Sequence, residues 1–121
     1  MANYNPDKYI EQISSAFKDI ADSENAKKQK EYMRNKFEFF GIKAKPRRKA
    51  TREFMRKDNR PDYENLNLII KKLWEMEERE YQYFATELLE KYQMKFNEEI
   101  INLLVYMITN KSWWDTVDRI A

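Results

Sequence analysis

Apolar residues recur along this chain at the three- and four-residue spacing of one helix face, and the stretches between them carry the turn and capping residues that end helices. Asn5 before Pro6 predicts a first helix with Tyr9, Ile10, Ile13, Phe17 and Ile20 on one stripe, ending near Asp22. Ser23 can cap a second helix with apolar positions Tyr32, Met33, Phe37 and Phe40. Gly41, free to take a left-handed conformation, is its expected end. Pro46 opens a short third helix with Ala50 and Phe54 inward and Lys45, Lys49, Arg52 and Arg56 in a basic stripe; Pro61 marks the break after it. A fourth helix starts at Asp62, with Leu66, Ile69, Ile70 and Leu73 inward and Trp74 near its end as a core residue. The fifth runs from about Glu77 to Tyr92 on Tyr81, Phe84, Ala85, Leu88 and Leu89. Asn97 caps a sixth, carrying Ile100, Ile101, Leu103, Leu104, Met107 and Ile108.

A seventh helix is expected from Ser112, where Ser112 and Asp115 have the spacing of a capping box, Asp115 reaching back. Trp113, Val117 and Ile120 fall on one apolar face, which assigns Trp113 to the core. Trp114 and Asp118, four residues apart, share the neighbouring face. A large aromatic beside an acid on a face not needed for packing has no local structural purpose, so these two are the candidates for function. The connections are a few residues long, which makes consecutive helices antiparallel neighbours. The expected fold is all-α, about seven helices in a right-handed stack of antiparallel pairs like a HEAT solenoid.

Composition narrows the chemistry. The 121 residues contain no cysteine and no histidine, which removes thiol nucleophiles, imidazole bases, disulfides and the usual zinc ligand sets. No cofactor and no metal are implied. One glycine leaves nothing for a phosphate-cradling loop. No apolar run approaches the ~20 residues of a membrane span, and the amino-terminal ten lack a signal sequence, so a cytoplasmic protein without a membrane partner is expected. Net charge is only +2, but residues 43–60 carry nine Lys or Arg against Glu53 and Asp58, while residues 62–99 carry ten acids against five bases. The basic segment would attract a polyanion. A solvated surface is the bland alternative.

Three blocks in order resemble one family: Tyr32-Met33-Arg34-Asn35-Lys36-Phe37 with Phe40-Gly41-Ile42, then Leu73-Trp74 with Glu78-Arg79-Glu80-Tyr81-Gln82, and above all Lys111-Ser112-Trp113-Trp114-Asp115-Thr116-Val117-Asp118. The chain resembles the DNA alkylation repair family of HEAT-like alkylpurine DNA glycosylases across essentially its whole length. The resemblance implies hydrolysis of the N-glycosidic bond of cationic N3- and N7-alkylated purines in duplex DNA held on a concave helical surface. It implies that Trp114 walls the lesion site, Asp118 is the catalytic carboxylate and Tyr32 is a further contact at the cleft. Lys45, Lys49, Arg52 and Arg56 would meet phosphates. The family's Pro-Glu-Arg-Arg type segment reads Lys45-Pro46-Arg47-Arg48 here.

Residues 1–121 are expected to be the amino-terminal part of a single such domain, because the family's carboxyl-terminal half has no counterpart in them. An uncapped seventh helix would expose Trp113, Val117 and Ile120, each forfeiting ~1.5–3 kcal/mol of burial. In isolation that helix should fray or pair with another copy, and the 121 residues alone should be inactive where the full-length protein is active. The alternative from another class is a non-catalytic helical-repeat module that binds DNA or a protein.

Overall fold

A computed structural model describes residues 5–111 together with Asp115 and Thr116. Six α-helices run through it: α1 (Pro6–Asp19), α2 (Ser23–Tyr32), α3 (Ala44–Thr51), α4 (Tyr63–Trp74), α5 (Arg79–Glu90) and α6 (Glu99–Thr109), with 3-10 turns at Arg52–Met55 and Gln93–Lys95. The described fold is all-α. The one extended pairing among these residues is an isolated parallel bridge between Glu38 and Glu78.

The core is centred on α4, which packs against α5, α1 and α6. Its inward stripe of Leu66, Ile69, Ile70 and Leu73 is fully buried, as periodicity predicts. Trp74 is buried beside them, and its indole N–H donates to the carbonyl of Asn110 at 2.6 Å, so the core indole is also satisfied. Phe17, Phe40 and Tyr81 form a mutual aromatic cluster where α1, the 40–42 loop and α5 meet.

Several boundaries differ from the sequence expectation. Asp22, not Ser23, caps α2, its carboxylate accepting from the amides of Glu24 and Asn25. That helix stops at Tyr32 rather than Gly41, because Arg34 and Asn35 take left-handed φ of 57° and 59° and turn the chain away. Phe37 and Phe40 therefore leave the helix and pack from a loop. Gly41 is left-handed as expected (φ 90°), but inside that loop: a Cβ there would lie 1.9 Å from the carbonyl oxygen of Asp22.

The inner face of α3 is polar. Arg47 and Thr51 are buried where Ala50, expected inward, is only half-buried. Lys45 and Lys49 lie on α3, Arg52 in the 3-10 turn and Arg56 just beyond it, so the basic residues do not share one α-helix. Glu98 rather than Asn97 precedes α6, and of its apolar residues Ile100, Leu103 and Met107 are buried while Ile101 and Ile108 are exposed. Of the seventh helix only Asp115 and Thr116, both helical, are described. Ser112, Trp113, Trp114, Val117, Asp118 and Ile120 lie outside the described residues.

Candidate functional site

The first turn of α5 carries two buried charges side by side. Glu80 faces the 40–42 loop and accepts three successive backbone amides, Phe40 at 3.0 Å and Gly41 and Ile42 at 3.1 Å each. The left-handed glycine turns those amides towards a single anion. Arg79 faces the other way. Its guanidinium, 0% exposed, donates to the carbonyl of Lys111 at 2.6 Å, to Thr116 Oγ1 at 2.8 Å, and to both oxygens of Asp115 at 2.7 and 3.4 Å. The ring of Phe37 lies 3.8 Å from its Cζ, which supplies a π face to a cation otherwise removed from water.

Asp115 has partners beyond its own turn, and Ser112, the other half of the expected capping box, lies outside the described residues. The Asp115 carboxylate is drawn across to α5, where the Tyr83 hydroxyl also donates to Oδ2 at 2.5 Å. Burial first, then this bond to an anion, pushes the Tyr83 pKa well above the usual phenol value, so the proton stays on the phenol at neutral pH. Lys111 is lowered by burial and by the neighbouring Arg79 charge, and its ammonium donates to the Met76 carbonyl.

Tyr83 and Asp115 also line a cleft of about 420 Å³, with Asn25, Lys28, Gln29, Tyr32, Met33, Phe39 and Lys43. Tyr32, a sequence candidate, stands on its wall and is 73% exposed. A second hollow of about 270 Å³ shares Gln29, Tyr83 and Asp115 and reaches Arg47, Arg48 and Glu87. There Arg47 pairs with Glu87 at 2.5 Å and lies over the Tyr83 ring, and Arg48 reaches the same carboxylate at 3.0 Å.

Trp114 and Asp118 fall outside the described residues, although Asp115 beside Trp114 reaches the cleft. Lys45, Lys49, Arg52 and Arg56 are exposed and none lines it; Arg56 is 3.5 Å from Asp58. The lysines that do line it are Lys28 and Lys43. Sequence reasoning did not single out Arg79, Tyr83 or these two lysines. For Arg79 and Glu80 the signal was only their place within one of the family-like blocks, since the surrounding Glu77, Glu78 and Gln82 make the helix start look solvated. Among the described residues, no group of His, Cys, Asp or Glu could hold a metal ion, and no helix is long and apolar enough to cross a membrane.

Among the described residues the scaffold is all-helical, with a cleft walled by Tyr32, Phe39 and Tyr83 and edged by Lys28 and Lys43. The chain belongs to the DNA alkylation repair enzyme family, whose sequence profile matches residues 13–121. Among solved structures it is similar to a predicted DNA alkylation repair enzyme from Enterococcus faecalis, with 32% identity and a TM-score of 0.74 over 82% of this chain and 46% of that one. The chain spans about half the length of that protein. No curated protein matches it.

Proposed function

We propose that the chain belongs to a DNA glycosylase that hydrolyses the N-glycosidic bond of cationic N3- or N7-alkylated purines in duplex DNA. In this reading residues 1–121 form the amino-terminal part of a single HEAT-like domain, with Trp114 as a wall of the lesion site, Asp118 as its carboxylate and Tyr32 as a cleft contact. What carries the reading is the family's Lys111–Asp118 block, tied through Lys111, Asp115 and Thr116 to the wall of the cleft.

The chemistry suits the residues available. Alkylation at N7 or N3 gives the base a positive charge, so it departs as a neutral molecule and no general acid is needed. What remains is to stabilise a sugar of oxocarbenium character and place a water molecule, and an ionised carboxylate can do both. An aromatic face attracts the cationic base by ~0.5–2 kcal/mol, a modest preference over a neutral purine at ~1.4 kcal/mol per tenfold. The weaker glycosidic bond of the lesion supplies the rest. Lys45, Lys49, Arg52 and Arg56, with Lys28 and Lys43 at the cleft, would contact phosphates without reading sequence.

In the intact protein, Asp118→Asn should preserve folding and DNA binding and abolish release of N7-methylguanine from duplex DNA, measured by chromatography of the freed base. Release at the wild-type rate would refute the assignment.

A further inference from the structure

We propose that Arg79 is the positioning residue of this site, anchoring Lys111, Asp115 and Thr116, the chain neighbours of Trp114 and Asp118, to α5, and that Tyr83 fixes the Asp115 carboxylate through which it acts. The proposal rests on the glycosylase reading above. A buried arginine–carboxylate pair is a poor source of stability, since desolvation offsets most of the attraction and apolar residues of similar volume would join the helices as well. The guanidinium does something an apolar side chain could not. Its rigid fork binds three points close in sequence, the carbonyl of Lys111, the carboxylate of Asp115 and the hydroxyl of Thr116, and so fixes where those three groups sit relative to α5.

Those points lie on either side of Trp114 and two residues short of Asp118 in the chain. Trp114 is peptide-bonded to Asp115, and Asp118 stands three residues further on, so chain connectivity keeps its Cα within about 11 Å of the anchored Asp115. The anchor is itself held. The amide of Arg79 donates to the Glu38 carbonyl at 2.8 Å, its guanidinium lies against Phe37, and Glu80 grips the amides of residues 40–42. One turn of α5 thus grips both the 37–42 loop and the Lys111–Thr116 segment. Tyr83, one turn along, donates to Asp115 from the cleft side, leaving the carboxylate little freedom to swing. Catalysis by placement is sensitive at this scale, where a displacement of about 1 Å costs on the order of a hundredfold in rate.

The test uses the intact protein and two variants. Arg79→Lys keeps the positive charge but loses the fork; Tyr83→Phe keeps the ring and loses only the hydroxyl. Amide hydrogen exchange and the separate kcat and KM for alkylated-base release are measured for each. Expected is faster exchange confined to residues 111–118, with α1 and α4 unchanged, and kcat lower by about a hundredfold for Arg79→Lys and about tenfold for Tyr83→Phe. KM for the DNA should stay within about twofold. Exchange that rises throughout α1 and α4 in both variants, or that changes nowhere, would overturn the proposal, as would a raised KM with unchanged kcat. A wild-type protein that releases no alkylated base would refute the glycosylase reading instead, and the exchange data would still decide whether Arg79 holds the segment.

Discussion

Glu80 illustrates how unequal the charged residues of this protein are. Lys30–Glu38 and Lys72–Asp7 are ion pairs at 2.8 and 3.2 Å between largely exposed side chains, a class worth ~0–1 kcal/mol. Glu80 is fully buried, and hydrogen bonds to a charged group contribute ~1.5–3 kcal/mol, with a further penalty for any amide left unmade. Glu80→Gln replaces one acceptor oxygen with a donor facing the same amides. It should destabilise the protein by about 2–4 kcal/mol in chemical denaturation, whereas Lys72→Ala should cost under ~1 kcal/mol. A glutamate next to an arginine in sequence reads as solvated surface. Only the fold brings residues 40–42, some forty positions upstream, over that carboxylate.

At the scale of elements, the basic segment is an α-helix, a 3-10 turn and a loop in succession, so its charges fan out over a surface rather than aligning along one axis. None of the four sequence-chosen residues lines the cleft. Replacing Lys45 and Lys49 together with Ala should weaken binding about equally for damaged and undamaged duplexes and lessen the salt dependence, as loss of phosphate contacts does. A filter-binding titration against salt measures this; a loss confined to damaged DNA would place these lysines at the lesion instead. The early end of α2 belongs here too. Tyr32, Met33, Phe37 and Phe40 match a helical period, yet α2 contains no buried residue to reward continuing it. The aromatics gain more by packing on Arg79, Phe17 and Tyr81 from a loop.

For the whole molecule, tyrosines tie distant elements together through buried or part-buried hydroxyls. Tyr92 after α5 donates to the Pro61 carbonyl, Tyr83 to Asp115, and Tyr81 shares a 2.6 Å bond with Ser14 of α1. Burial raises all three above the ordinary phenol pKa of 10, Tyr92 to about 12. A group whose pKa is raised on folding contributes stability that is complete below the unfolded value and lost as pH climbs through the folded one. The melting temperature should therefore be insensitive to these groups below about pH 10 and fall steadily between about 10 and 12. Tyr92→Phe should lower it at neutral pH and make the alkaline fall shallower, which thermal melts across that range would show.

The hydrophobic period was sufficient to predict an all-α chain, the inward stripe of α4 and the burial of Trp74, because each depends on residues within a turn or two of one another, and the missing Cβ of Gly41 was enough to predict its left-handed conformation. The Lys111–Asp118 block lies within residues 13–121, over which the family's sequence profile matches. What tertiary structure decided was which partner each buried polar group takes. Asp115 pairs with an arginine 36 positions away, which its local spacing did not indicate, and Gly41 serves a loop that feeds its amide to Glu80 rather than ending a helix. A buried charge must find whatever donors the packed fold brings within about 3 Å, and no local pattern encodes that distance.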